Sequence, residues 1–253
     1  MTPRDKLARL AGAVPAGCVW LGLGSAAGAE IAARAGARLA VVDGEHGVTD
    51  GDALGHVMRA LALGPTGALV RVGEAAAGEV KRALDAGAGG ILFPQVESAE
   101  AARAAADLVL YPPEGRRGSA LAVIRASGYG AEADYQARWN DRALVAVQVE
   151  SRAGLSAADA IAEVAGVDML FFGPFDYATE AGLDPAADAP VLAAAFAEIV
   201  EIARATGKLA GVFPWPGATP AGLAAAGADV VTVASDVRVL FDGIAAGVAR
   251  LDV

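Results

Sequence analysis

Apolar residues in this chain arrive in short bursts separated by longer, mixed stretches. Eight bursts stand out: CVWLGLG (18–24), LAVVD (39–43), ALVRV (68–72), GILFP (90–94), VAVQVE (145–150), MLFF (169–172), LAGVF (209–213) and VVTVAS (230–235). Neighbouring residues within a burst are both apolar, which is the pattern of a strand covered on two faces. The stretches between them carry apolar residues at helical spacing. They predict helices over 27–36 (closed by Gly36), 51–64, 78–87, 98–109 (capped by Ser98), 151–168, 188–206, 219–227 and 237–251. A short amphipathic helix at 3–12 precedes the first strand. GEHGVTD (44–50) reads as a loop, and 111–143 as a long irregular excursion with some helix around 131–139.

Strands alternating with helices imply a parallel sheet. Eight such units with no break in composition predict one α/β domain over residues 1–253, a single (β/α)8 TIM barrel, whose usual length of about 250 residues matches this chain. The alternative is a doubly wound open sheet. Its first turn would be GLGSAAGAE, where Gly22, Gly24 and Gly28 have the wrong spacing for a dinucleotide fingerprint. The barrel is the better reading.

Charge and composition narrow the function classes. The net charge of −10 leaves no positive field for nucleic acid or an anionic membrane surface. A hydrophobic fraction of 55%, much of it Ala, points to buried contacts between subunits. Cys18 stands alone in an apolar run, so neither an internal disulfide nor a cysteine metal cluster is available. MTPRDKLARL carries charges where a signal peptide needs an apolar core, and the expectation is a cytoplasmic protein.

Chemistry in such a barrel belongs at the carboxyl ends of the strands. The polar residues there are Asp43, Glu45 and His46 after the second strand, Arg71 in the third, Gln148 and Glu150 at the fifth, and Asp176 after the sixth. Glu150 and Asp176 end adjacent buried strands at what read as equivalent positions. Two acids converging there repel unless a cation or a shared proton lies between them. A divalent metal site is favoured over the plainer reading, in which Glu150 pairs with Arg152 and Asp176 is a helix cap. Oxygen ligands favour Mg²⁺ or Mn²⁺, with Co²⁺ as a further option. His46 is the histidine placed to act as a base; His56 sits inside a helix. An arginine within ALVRV must face a carboxylate or an anionic substrate. The lysines are Lys6, Lys81 and Lys208, none at this face, which argues against imine chemistry. Metal, arginine and histidine together suggest proton abstraction or carbon–carbon cleavage beside a carbonyl.

VVDGEHG, VRV, KRALDAGAGGILFPQVES, YPPEGRRG, VQVES and FFGPFD, in this order and over nearly the whole chain, resemble the HpcH/HpaI family of metal-dependent 2-oxo acid aldolases. The resemblance implies a hexameric barrel that cleaves 4-hydroxy-2-oxo acids to pyruvate, or hydroxypyruvate, and an aldehyde. It makes Glu150 and Asp176 the metal ligands, Arg71 the residue that stabilises the enolate, and His46 the base, with Asp43 beside it. Gly173, Pro174 and Phe175 would face the substrate carboxylate and Gln148 would line the site. It also implies a supporting role for Asp85, which must then come from a neighbouring subunit. The chain departs from the pattern at Leu110, where arginine often stands, at Phe175 and Tyr177, and in FPWPG with its Phe213 and Trp215; the last two departures would reshape the aldehyde pocket. Two other readings of the same residues are an oxaloacetate-type decarboxylase and a catalytically silent barrel that serves as a binding protein.

Overall fold

Eight parallel strands close on themselves in sequence order: β1 Ala16–Leu21, β2 Leu39–Asp43, β3 Gly67–Arg71, β4 Gly90–Phe93, β5 Leu144–Val149, β6 Met169–Phe172, β7 Leu209–Val212 and β8 Val230–Ser235, with β1 bonded to both β2 and β8. This computed structural model describes residues 1–49 and 51–251. Asp50, the last residue of the loop read over 44–50, lies outside the described residues.

Strand alternation sorts the apolar bursts into two layers. Cys18, Trp20, Leu39, Val41, Leu69, Leu92, Leu144, Ala146, Met169 and Phe171 fill the barrel. The residues between them, among them Ala40, Val42, Val70, Ile91, Val145 and Val147, pack outward against the helices. The same parity, continued toward the carboxyl ends, turns Asp43, Arg71, Gln148 and Glu150 inward, and all four are buried.

The opposite mouth is closed by α1 Pro3–Ala11, whose Leu7 and Ala11 join the interior layer. Lys6 Nζ lies 3.0 Å from Asp168 Oδ1 and 3.1 Å from Oδ2, and the Val145 amide donates to Asp168 at 2.9 Å. Burial pushes the Asp168 carboxyl up even with Lys6 opposing it. Removing Lys6 therefore strands a buried acid. Lys6→Ala is expected to cost about 3 kcal/mol, read as a lower denaturant midpoint, with much of it recovered in Lys6→Met/Asp168→Asn, which removes the charge and keeps an acceptor for the Val145 amide.

The helices largely follow the sequence pattern: α2 Ala26–Arg34, α3 Gly51–Leu61, α4 Ala77–Asp85, α5 Ala99–Val109, α6 Tyr135–Trp139, α7 Arg152–Ser156, α8 Ala158–Ala162, α9 Pro174–Ala181, α10 Ala189–Thr206, α11 Pro220–Ala225 and α12 Asp236–Val248. The helix expected over 151–168 is the pair α7 and α8, because the backbone relaxes at Ala157 (φ −96°, ψ 0°). The segment after β6 winds into α9, with Gly173 at its N-cap and Pro174 opening the first turn with its fixed φ. None of the described helices is long and apolar enough to cross a membrane.

One helix departs from the layered plan. α12 buries none of its residues and leaves Val237, Val239, Leu240, Phe241, Ile244 and Val248 exposed. Beside it, an apolar groove of about 910 Å³ runs between α2, β1 and β8, lined by Val19, Leu21, Ile31 and Val233 among others.

Candidate active site

Register brings the first two site residues together. Asp43 and Arg71 are paired positions on β2 and β3, and both point into the barrel. Arg71 Nε donates to Asp43 Oδ1 at 2.9 Å and Nη2 to Oδ2 at 2.6 Å. Trp20 Nε1 adds 3.1 Å to Oδ2, while the amides of Glu45 and His46 reach Oδ1 at 3.1 and 3.3 Å. Burial would raise the Asp43 carboxyl, but these donors and the guanidinium charge outweigh it and hold the group below its ordinary value. Asp43 is thus a saturated acceptor that aims Arg71. The turn that carries His46 is tight: a Cβ at Gly47 would overlap the Asp43 carbonyl oxygen.

Arg71 reaches further with its remaining nitrogen. Nη1 lies 2.7 Å from Glu45 Oε2, an ion contact without hydrogen-bond alignment, and that buried oxygen has no hydrogen-bond donor. Burial pushes the Glu45 carboxyl up despite Arg71 and His46. The guanidinium also sits 4.8 Å from the centre of the Trp20 ring. His46 stands at the rim with its side chain 68% exposed, Nε2 3.9 Å from Glu45 Oε1.

Across the barrel, Glu150 follows the end of β5. It accepts from the Gln95 amide at 2.7 Å and from Gln148 Nε2. Gln95 holds the left-handed conformation (φ 51°) that aims this amide. Burial, joined by the charges of Asp176 and Glu45, raises the Glu150 carboxyl to about 7 against the Gln95 bond and Arg71. Among the described residues no basic side chain forms an ion pair with it. Gln148 Oε1 is likewise buried without a partner. Asp176 lies in the first turn of α9 and is exposed, so the two acids are not at equivalent strand positions. One is a buried strand exit and the other a helix residue over the same cleft.

These donors suit a divalent cation. A raised, buried carboxylate faces a second acid, and an orphaned amide oxygen stands next to it. Among the described residues no three His, Cys, Asp or Glu side chains converge as a metal cluster. A cation would rest on Glu150 and Asp176 with its other positions open to water and substrate. Gly173 makes room for this arrangement, because a Cβ there would meet Glu150 Oε2 at 2.5 Å and Gln148 Nε2 at 3.1 Å. A Cβ at Gly173 would also meet Glu150 Cβ at 2.8 Å, so Gly173→Ala is expected to cut activity about a hundredfold, weaken Mn²⁺ binding measured by calorimetry, and lower stability by about 1–3 kcal/mol.

The cleft over these groups holds about 330 Å³ and is lined by the polar His46, Arg71, Gln148 and Asp176, by Gly173, and by the apolar Trp20, Phe171, Pro174, Phe175 and Phe213. One residue expected here, Trp215, lies elsewhere, and Asp85 stands away from the cleft as its place in the sequence implied. Trp215 turns outward under α10, where its ring meets Phe172 and Phe196 at 6.2 and 6.4 Å. Asp85 ends α4, where Arg117 Nη2 lies 3.2 Å from Oδ1, and Arg117 is itself packed on Tyr111 and Trp139. Asp85 does not join the cluster of its own chain.

The profile of the HpcH/HpaI aldolase/citrate lyase family matches residues 17–242. The chain belongs to this family. Among its relatives, a hydroxypyruvate/pyruvate aldolase of Agrobacterium fabrum is 40% identical over 88% of this chain and 86% of its own length. A 2-keto-3-deoxy-L-rhamnonate aldolase of Klebsiella pneumoniae is 36% identical over 86% and 82%. A crystal structure of an HpcH/HpaI aldolase/citrate lyase family protein from Burkholderia cenocepacia covers both chains fully at a TM-score of 0.88 and 33% identity.

Within this family frame, sequence reasoning had given no role to Trp20, Phe171 or Gln95. For Trp20 and Phe171 the signal was strand parity, which puts both on the same face as Asp43. For the backbone of Gln95 no sequence signal exists.

Proposed function

We propose that this chain is a divalent-metal-dependent aldolase that reversibly cleaves 4-hydroxy-2-oxo acids to pyruvate, or hydroxypyruvate, and an aldehyde. One catalytic domain over residues 1–253 would carry the reaction. The observation that carries the reading is Glu150: a buried carboxylate at the barrel mouth, within the field of Asp176 and Arg71, which both line the cleft, and unpaired with any described basic side chain. The relatives named for hydroxypyruvate and pyruvate support the choice of donor.

Glu150 and Asp176 would hold the cation, Mg²⁺ or Mn²⁺. When bound, it supplies Lewis-acid polarisation of the 2-oxo group. Arg71, locked by Asp43, presents fixed positive charge to the oxygen that becomes negative as the enolate forms. His46, at the rim and open to solvent, takes the 4-hydroxyl proton through water as the bond between C3 and C4 breaks, and returns a proton in the synthetic direction. Gln148 and the backbone at Gly173–Pro174–Phe175 orient the substrate carboxylate. Asp85 would act only if a neighbouring subunit brought it over.

The test follows pyruvate methyl protons by NMR in D₂O. Exchange that requires Mn²⁺ or Mg²⁺ and collapses in His46→Ala supports the reading; metal-independent exchange, or none with either 2-oxo acid, refutes it. Rates on a 4-hydroxy-2-oxo acid and on oxaloacetate then separate aldolase from decarboxylase.

A homo-oligomer is part of the same reading, with the hexamer as its expected form. The exposed apolar side of α12 and the groove beside it are the surfaces a second copy would cover. Light scattering is expected to give a multiple of the chain mass, reduced in Leu240→Asp/Phe241→Asp.

A further inference from the structure

The cleft is lined by two unlike kinds of group. Arg71, Gln148 and the backbone at Gly173 are the groups assigned to the 2-oxo acid, with Asp176 directed to the cation. The rest of the lining includes a run of four rings: Phe171 meets Trp20 at 5.9 Å, Trp20 meets Phe213 edge-on at 5.4 Å, and Phe213 meets Phe175 edge-on at 5.9 Å. The one polar atom in that run, Trp20 Nε1, is committed to Asp43. These rings therefore offer an incoming molecule no side-chain hydrogen-bond partner.

Phe175 is the exception in exposure. Trp20 and Phe171 are buried, whereas Phe175 is 43% exposed at the mouth, two residues into α9 and beside Asp176. A large ring held half in water by its own helix has a free face over the cleft. Hydroxyl groups carried against such rings would lose water and gain nothing. An alkyl or aryl chain would gain burial.

We propose that the aldehyde partner of this chain is apolar, an alkyl or aryl aldehyde, and that Phe175 is the residue that selects it. The inference rests on the aldolase reading. In the synthetic direction C3 of the enolate bonds to the aldehyde carbonyl carbon. The carbonyl π electrons move to its oxygen, which takes up one proton to become the 4-hydroxyl. The aldehyde substituent lies against Phe213 and Phe175 during that step.

The experiment supplies Mn²⁺-loaded protein with pyruvate and either pentanal or glyceraldehyde, which have equal heavy-atom counts, and measures kcat/KM for product formation per free carbonyl. Pentanal is expected to win in the wild type. Phe175→Ala is expected to lower the pentanal-to-glyceraldehyde ratio about tenfold, and Phe175→Leu to restore part of it. A wild-type preference for glyceraldehyde, or a ratio unmoved by Phe175→Ala, overturns the inference while leaving the aldolase reading intact. Pyruvate exchange with no product from any aldehyde overturns both.

Discussion

Lysine in place of Arg71 is expected to lower kcat/KM by two to three orders of magnitude, roughly the loss seen when one preorganised donor to a developing oxyanion is removed. The side chain does three things at once. It forks onto both oxygens of Asp43, touches Glu45 through its third nitrogen and lies over Trp20. An ammonium keeps the charge but has neither the fork nor the flat face. Lysine would still neutralise Asp43, so the fold should survive. Alanine would not: it leaves a buried carboxylate unpaired at a cost of about 3–5 kcal/mol, and loss of activity would then be ambiguous. Circular dichroism and a melting curve establish that Arg71→Lys is folded, and steady-state kinetics give the split between kcat and KM. A fall in kcat marks charge stabilisation in the transition state. Activity within tenfold of the wild type would reduce Arg71 to a structural partner of Asp43.

Arg71 also shows why part of this site was legible in the sequence. A charged residue inside ALVRV cannot be hidden in a strand covered on two faces, and its partner had to be an acid at the same level of the barrel. LAVVD supplied it on the neighbouring strand. Glu150 stood out for the same reason at the end of VAVQV. The barrel itself was legible because each strand is buried on two sides, which leaves apolar bursts that alternation cannot blur. Aromatic residues carry no such mark. Trp20 in a strand looks like core whether it faces a helix or a substrate, and Trp215, close to a strand end, turned outward with its loop. A helix after β6 entered only through the plainer reading of Asp176 as its cap; Gly-Pro reads as a break, whereas Pro174 opens the helix two residues earlier. The amphipathic spacing of α12 identified a helix but not that its apolar side would lie open.

Glutamine in place of Glu150 is expected to abolish aldol activity and, in chelator-treated protein, to raise stability at high pH. The sign follows from burial. The folded carboxyl titrates at about 7, against an ordinary value of 4.5. Below the ordinary value both folded and unfolded chains hold the proton, and Glu150 costs nothing. Between the two values the unfolded chain ionises while the folded chain does not, so stability falls as pH rises. Above about 7 the full cost remains, roughly 3 kcal/mol from the gap between the two values. The amide substitution removes that fall. Metal-free Glu150→Gln should match the wild type at pH 4 and exceed it at pH 8 in urea midpoints. The local geometry tolerates the exchange: the Gln95 amide keeps an acceptor, and rotation of the Gln148 amide brings its unpartnered oxygen toward the new NH₂ group. Mn²⁺ provides the second arm. At a hundredfold excess over its dissociation constant it should stabilise the wild type by about 3 kcal/mol and leave the variant unmoved. Equal stabilisation of both proteins would remove Glu150 from the metal site. A gap between variant and wild-type midpoints that does not widen from pH 4 to pH 8 would mean that the carboxylate is compensated by another group.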